Sequence, residues 1–426
     1  MLQALRIPDF RLLWCASLIS SLGSWLLVLA IPAHVLMATR SLRDTGLTLA
    51  AEYLPRLVLG PVAGVFADRW DRRRLMITTN LFCAASVAAM LLGTSPGRYW
   101  VLYAALVAEN SGAVLNAPAL QARTPAIVGT GPLLTSANAL NSVSGGTVRL
   151  IGGPLGGILL AMCGITSLIC ADALSYLLSA AAMFMTSRTR SQPTCRGVTI
   201  SGVARDLMQG ARVLRAQALA RSLLPVTIVF LAANASLSAI LIPFAIQRLG
   251  GSVSAGFLLS CLGAGFLIGA PVIRALLDQA QPRSLLTATL AATAAAYYLL
   301  FTSSSLTRAL PAAAAVGMAG SMSLVIPQTT MQRVIPNSAL GRVSAVFLTS
   351  EAAATLSGAV AGPFLAQTAH LTAAATAASL LTLGAAALAH LTVPRTPAVT
   401  RTCAFVSHGP DSVRQQGETC FRDQIR

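Results

Sequence analysis

Charge is scarce in this chain. Only 10% of its 426 residues are Asp, Glu, Lys or Arg, against about 25% in an ordinary soluble domain. Lysine is absent altogether, so all thirty basic residues are arginine. Without lysine no Gly-x-x-x-x-Gly-Lys phosphate loop exists, and ATP hydrolysis on such a loop is excluded as an energy source. The eight cysteines include no Cys-x-x-Cys pair. Most lie inside apolar runs, where they read as small buried hydrophobes rather than redox or zinc ligands. His34, His370, His390 and His408 have no second ligand at metal-binding spacing, so no metal site is expected. Acidic residues number thirteen, which leaves a formal net charge of +17. The arginines fall mainly between apolar runs, where positive charge sets membrane orientation. They form no basic patch on a soluble face, and nucleic acid is not an expected partner.

What the chain does have is apolar length. Hydrophobic residues make up 55% of it, with a mean hydropathy of +0.71. A bilayer core about 30 Å thick takes roughly 20 apolar residues per helical crossing. Runs without formal charge extend from Leu12 to Thr39, Leu75 to Gly97, Ser222 to Gln247, Ser252 to Ile273, Ser284 to Thr307, Ala309 to Gln332 and Leu371 to Val393. Runs carrying one or two ionisable groups complete twelve predicted spans: 12–39, 45–67, 75–96, 99–122, 134–162, 165–187, 220–247, 252–277, 284–304, 308–332, 340–368 and 371–393. The first is too long for a cleaved signal peptide and lacks the cleavage signature. With the N-terminus inside, cytoplasmic segments hold twenty-three arginines. The opposite face holds Arg40, Arg43, Arg98, Arg248 and Arg308, while Arg56 and Arg149 lie within spans. Both termini are therefore expected in the cytoplasm of a multi-pass cell-membrane protein.

The chain repeats itself. Pro61, Asp68, Arg73 and Leu75 recur 210 positions later as Pro271, Asp278, Arg283 and Leu285, and Pro118 and Pro154 recur 209 later as Pro327 and Pro363. The offset carries six spans onto six. The fold expected is all-α: a polytopic membrane protein with twelve transmembrane helices in two pseudo-symmetric six-helix bundles. The expected parts are an N-terminal bundle (1–187), a cytoplasmic linker with an interfacial helix (188–219), a C-terminal bundle (220–393) and a disordered cytoplasmic tail (394–426). In the linker Val203, Leu207, Ala211 and Leu214 share one helical face with arginines mostly off it, the pattern of a helix lying on an anionic leaflet.

The sharpest motif is Gly64-Val65-Phe66-Ala67-Asp68-Arg69-Trp70-Asp71-Arg72-Arg73-Arg74, between the second and third spans. Here the chain resembles the major facilitator superfamily, whose second-to-third helix loop carries Gly-x-x-x-Asp-Arg-x-Gly-Arg-Arg. Asp71 replaces the second glycine. The variant, with Pro118-Ala119-Leu120-Gln121, Ala137-Asn138-Ala139-Leu140-Asn141 and Asp172-Ala173-Leu174-Ser175, is similar to the branch of macrolide and siderophore exporters and transmembrane secretion effectors. The resemblance covers about residues 5–393 and implies that Asp68, with Arg69, Arg72 and Arg73, locks a cytoplasmic gate in the outward-facing state. Physically, a carboxylate among guanidinium groups at a helix end makes charge-assisted bonds that two states can form and break.

On the fifth span Gly152, Gly153, Pro154, Gly156 and Gly157 put small residues at helical spacing beside a kinking proline, which suits tight packing in lipid. They resemble the antiporter motif Gly-Pro-x-x-Gly-Gly of the superfamily's drug exporters, one residue shorter between proline and the glycine pair. Ionisable groups inside spans cost several kcal/mol unless paired or hydrated. At 1.5 Å per residue, Glu109 lies about 15 Å into the fourth span and Glu351 about 16 Å into the eleventh. A carboxylate away from water favours its protonated form, so these two, lacking a partner on their own helix, are favoured as proton carriers. Glu52 with Arg56, one turn apart, and Arg149 with Asp172, on successive helices, are expected as charged structural or gating pairs. Asn110, Asn116, Asn234 and Gln328 are candidates for a polar cavity or for hydrogen bonds between helices.

These features together read as a monomeric secondary active transporter, without cofactor, that uses the proton motive force to export a small amphipathic molecule by alternating access. A drug, a natural product or a siderophore would fit. The rivals are an importer or uniporter on the same fold, since fold does not fix direction, an intramembrane lipid-handling enzyme, which would need a clustered nucleophile or metal group that the sequence lacks, and a non-transporting receptor or scaffold.

Overall fold

Polar backbone groups find no partner in hydrocarbon, so a chain this apolar satisfies them within each segment, as helix. The computed structural model describes residues 2–95, 97–129, 132–187, 200–277, 279–335 and 337–395; within some helices, at 64–69 and 201–204 among others, only the backbone is described. A short 3-10 turn, Leu2–Arg6, precedes α1 (Pro8–Thr39), α2 (Leu42–Arg69), α3 (Arg72–Gly93), α4 (Tyr99–Val128), α5 (Pro132–Met185), α6 (Ile200–Ala216), α7 (Ala218–Arg248), α8 (Ser252–Leu276), α9 (Pro282–Thr302), α10 (Leu306–Val334), α11 (Asn337–Ala369) and α12 (Leu371–Thr392). Serine and threonine hydroxyls bond back to their own helix, as Ser17 Oγ does to the Leu13 carbonyl and Ser111 Oγ to that of Val107. That keeps polar side chains tolerable in a span.

The longest helix is two. At Gly164 the backbone leaves the helix at φ 74°, ψ 172°, and α5 splits into a first limb, 132–163, and a second, 165–185. Among the described residues nine helices are long and apolar enough to cross a membrane, the bent one counted once. Its two limbs, with α2 and α4 beside the rest, make up the twelve predicted spans. The predicted linker helix is present as α6, which packs on α11 and α7, with Leu214 buried. The linker before it, 188–199, and the tail from 396 lie outside the described residues.

Packing separates two groups. In the first, α1 lies on α5, and α3 bridges α4 and α5; in the second, α7 packs on α11 and α12, and α8 and α9 on α10. The groups meet along α5–α8 and α2–α11. At these two seams the repeat becomes geometry. A Cβ on Gly46 of α2 would lie 2.7 Å from Pro363 Cβ on α11, and one on Gly256 of α8 would lie 2.8 Å from Pro154 Cα on α5. Gly46 and Gly256 are 210 positions apart, as the sequence offset requires.

The core is not symmetric from end to end. At the face away from Pro8, one apolar cluster joins both groups, with Leu29, Ile31 and Val35 of α1, Ile240 and Phe244 of α7, and Phe301 of α9. At the face bearing Pro8, each group keeps its own cluster. One holds Phe10, Leu13, Leu75, Met76 and Met183; the other holds Leu214, Leu223, Leu286 and Val393. The molecule is sealed at the far face and divided at the terminal face.

Candidate functional site: a buried carboxylate network and a cavity

Two carboxylates lie inside the first group. Glu109 of α4 is 7% exposed and Asp172 of the second limb of α5 is 0% exposed. The Tyr176 hydroxyl, one helical step beyond Ser175, donates to Glu109 Oε1 at 3.0 Å. Ser24 Oγ of α1 lies 3.0 Å from the same hydroxyl and bonds at 3.1 Å to the Ser20 carbonyl. Ser175 Oγ donates to Asp172 Oδ1 at 3.0 Å, while Asp172 Oδ2 has no partner among the described residues. Behind Glu109, Cys83 Sγ of α3 donates to its main-chain carbonyl at 3.3 Å. Space for this network comes from Gly23. A Cβ there would collide with Asp172 Oδ1 and stand 2.7 Å from Ser175 Oγ. Four segments thus converge on two carboxylates that no cation neutralises among the described residues, in a setting where an ionised group is costly. Such a network can hold a proton and pass it along hydroxyls.

Other expected site residues are placed as follows. Glu109, expected without a local partner, is held by Tyr176 from another segment. Glu52 is half-buried, and the Arg56 guanidinium stands 5.1 Å from the centre of the Tyr53 ring, with no described ion pair between Glu52 and Arg56. The Arg149 side chain lies outside the described residues, so the expected pair with Asp172 is not on view. Glu351 is half-buried on α11, and its carboxylate makes no described hydrogen bond. Asn110 Nδ2 donates to the Leu106 carbonyl of its own helix at 3.1 Å. Asn116 keeps a buried Oδ1 with no partner among the described residues. Asn234 Oδ1 accepts from Tyr297 of α9, and Gln328 is exposed on α10.

In the gate motif the side chains of Gly64, Asp68 and Arg69 lie outside the described residues. Its later arginines tie the start of α3 to α4 and to the end of α5. Arg72 Nη1 donates to the Ala122 carbonyl of α4 at 3.3 Å. Arg73 donates to the carbonyls of Met183, at 3.2 Å, and Phe184 at the end of α5. Cations at a helix C-terminus complete its free carbonyls and suit its dipole. Asp71, in the place of the superfamily's glycine, caps α3 by accepting from Arg74 N at 2.8 Å. Arg123, absent from the expected site, adds bonds to Thr186 Oγ1 at 2.7 Å and the Ser187 carbonyl at 3.1 Å.

The α5 glycines serve two seams at once. Cβ atoms on Gly152 and Gly156 would stand 2.8 Å from Trp25 Cβ and 2.7 Å from the Leu26 carbonyl oxygen of α1. On Gly153 and Gly157 they would stand 2.9 Å from Leu259 Cβ and 2.7 Å from the Ser252 carbonyl oxygen of α8. One face of the limb seats α1 and the adjacent one seats the other group.

A cavity of about 500 Å³ opens between α1, α4 and the first limb of α5, in the half nearer the terminal face. Trp14, Ser21, Gln121, Asn138 and Asn141 are among its walls. Sequence reasoning reached Glu109 and Asp172 but not Tyr176, Ser24 or Gly23. The available signal was the Tyr176 hydroxyl itself, because a tyrosine buried in a span needs a hydrogen-bond partner.

The family model described as transmembrane secretion effector matches residues 1–412. The enterobactin exporter EntS of Citrobacter koseri is 33% identical over 184 residues, 42% of this chain and 42% of that protein. Macrolide efflux protein A of Streptococcus pyogenes is 31% identical over 121 residues, 28% of this chain and 30% of that protein. The matched stretches span less than half the length of these curated relatives. The crystal structure of a bacterial homologue of the human lysosomal transporter Spinster, described as inward-facing and unoccupied, superposes with a TM-score of 0.70 at 16% identity, over 90% of this chain and 96% of that one. At that identity the likeness concerns the fold. The chain belongs to the transmembrane secretion effector family of the major facilitator superfamily, and its long apolar helices are those of a multi-pass membrane protein.

Proposed function

We propose that the chain exports a small amphipathic molecule across the cell membrane in exchange for protons, acting as a monomer with its arginine-rich terminal face in the cytoplasm. The observation that carries this reading is the hydrogen-bond chain Glu109–Tyr176–Ser24, which runs from a buried carboxylate onto α1. With Glu109 ionised, Tyr176 donates to it and Ser24 donates to Tyr176. With Glu109 protonated, the carboxyl donates to Tyr176 and the bonds reverse toward the Ser20 carbonyl. Protonation thus reverses the donor in the bond between α1 and Tyr176 and makes or releases the Ser24–Ser20 bond within α1, and α1 also walls the cavity through Ser17 and Ser21. Substrate and proton favouring different arrangements of one element is what coupling requires. Export as the direction is supported by the relatives named as exporters. Glu351, without a described partner, is a second proton carrier on this reading, and Asp68 with Arg69, Arg72 and Arg73 is its cytoplasmic lock.

The test is accumulation of antibiotics, dyes and siderophores in efflux-deficient cells expressing the protein, with and without a protonophore. Export predicts lower accumulation that the protonophore restores, and loss of that effect in Glu109→Gln at unchanged membrane content. Proton-driven export that survives Glu109→Gln and Glu351→Gln together would remove both carriers from the mechanism. Higher accumulation than in control cells would establish import instead.

A further inference from the structure

The cavity and the carboxylate network lie on the same helices but do not share residues. On α1, Ser21 faces the cavity and Ser24, one turn later, meets Tyr176. On α4, Gln121 faces the cavity, while Glu109 lies 12 residues earlier, about 18 Å along the axis. No described residue lining the cavity carries a formal charge. Its polar groups are hydroxyls and the carboxamides of Gln121, Asn138 and Asn141, all three exposed and without a described hydrogen bond. Trp14 supplies aromatic surface and is fixed by its indole N–H, which donates to Ser144 Oγ at 2.9 Å. About 500 Å³ lies within the range of sites that enclose a drug-sized ligand.

Each carboxamide offers both donors and an acceptor, which suits amide, ester and hydroxyl groups. A cation or polyanion entering here would shed water without gaining a counter-charge. We propose that this cavity is the substrate site and that it selects an uncharged amphiphile bearing amide or hydroxyl groups, held by Gln121, Asn138 and Asn141 over Trp14. The proposal rests on the transport reading for its meaning as a substrate site and adds the ligand's class. Protons and substrate then occupy separate sites and communicate through α1.

Binding is measured on the full chain in nanodiscs by quenching of tryptophan fluorescence, with uncharged chloramphenicol, cationic ethidium and anionic 2,3-dihydroxybenzoate as probes. Saturable binding is expected for chloramphenicol. It should weaken about tenfold in Asn138→Ala/Asn141→Ala, the sum of two hydrogen bonds of modest net strength. Both side chains are exposed, so folding is not at stake, and the elution profile checks this. Gln121→Glu is expected to create ethidium binding that the parent chain lacks. Tighter binding of either ion by the parent chain overturns the proposal. So does absence of chloramphenicol binding, or binding indifferent to the double variant. Proton-driven movement is read separately in proteoliposomes: binding without movement sinks the transport reading and leaves the cavity's selectivity standing, whereas movement of ions alone does the reverse.

Discussion

Gly23 is where a single methyl group tests the buried network. A side chain there meets the Asp172 carboxylate and the Ser175 hydroxyl, both on the second limb of α5. Gly23→Ala is therefore expected to push α1 off that limb, stretch the Ser24–Tyr176 bond and reduce proton-driven export at least several-fold while the protein still inserts. Transport at the parent rate in inverted vesicles would show that the network's geometry does not limit coupling. Glu109 and Asp172 were legible in the sequence because a carboxylate inside an apolar run is costly wherever it points. The Tyr176 partner of Glu109 was not. Depth along each helix follows from counting residues, but azimuth does not, and azimuth decided that Glu109 meets Tyr176. Asp71 is the converse case. Read as a departure from a glycine motif, it occupies the residue before α3 and does what aspartate does there, capping the first turn.

At the scale of elements, two connections have the same strained form. Gly164 joins the limbs of α5 at φ 74°, ψ 172°, and His370 joins α11 to α12 at φ 72°, ψ 152°. Each links the last two spans of its bundle by one residue. Side chains other than hydrogen disfavour this region by roughly 1–3 kcal/mol. His370→Gly should accordingly raise the thermal unfolding midpoint in detergent, and Gly164→Ala should lower it. Opposite or absent shifts would mean that neighbouring packing, not backbone strain, governs the two turns. The spans themselves were readable because apolar length is a one-dimensional property. The predicted boundary at 162–165 brackets Gly164, and that at 368–371 brackets His370. The linker helix was readable from its spaced apolar residues, but its docking was not. Gly210 abuts the Arg342 carbonyl of α11, a tertiary fit that periodicity does not encode.

At the scale of the whole molecule, the two bundles touch differently at the two faces. One apolar cluster seals the far face, whereas the terminal face has two separate clusters. If the bundles exchange between discrete packed arrangements instead of stretching, closing the terminal face opens the far one. The far seal depends on Gly46 against Pro363 and Gly256 against Pro154, two contacts related by the repeat. If the bundles rock about the pseudo-twofold axis, both contacts break together, and a bulky residue at either glycine has the same consequence. Gly46→Val and Gly256→Val are each expected to expose the far-face core. The measurement is labelling by a membrane-impermeant maleimide of a cysteine at Leu241, a buried member of that core, in a chain otherwise free of cysteine. Labelling should rise in both variants and to a similar extent, because each forces open one of two equivalent seams. A rise in one variant alone would mean that the seams move independently and that the sequence repeat records common ancestry of the bundles without a shared motion.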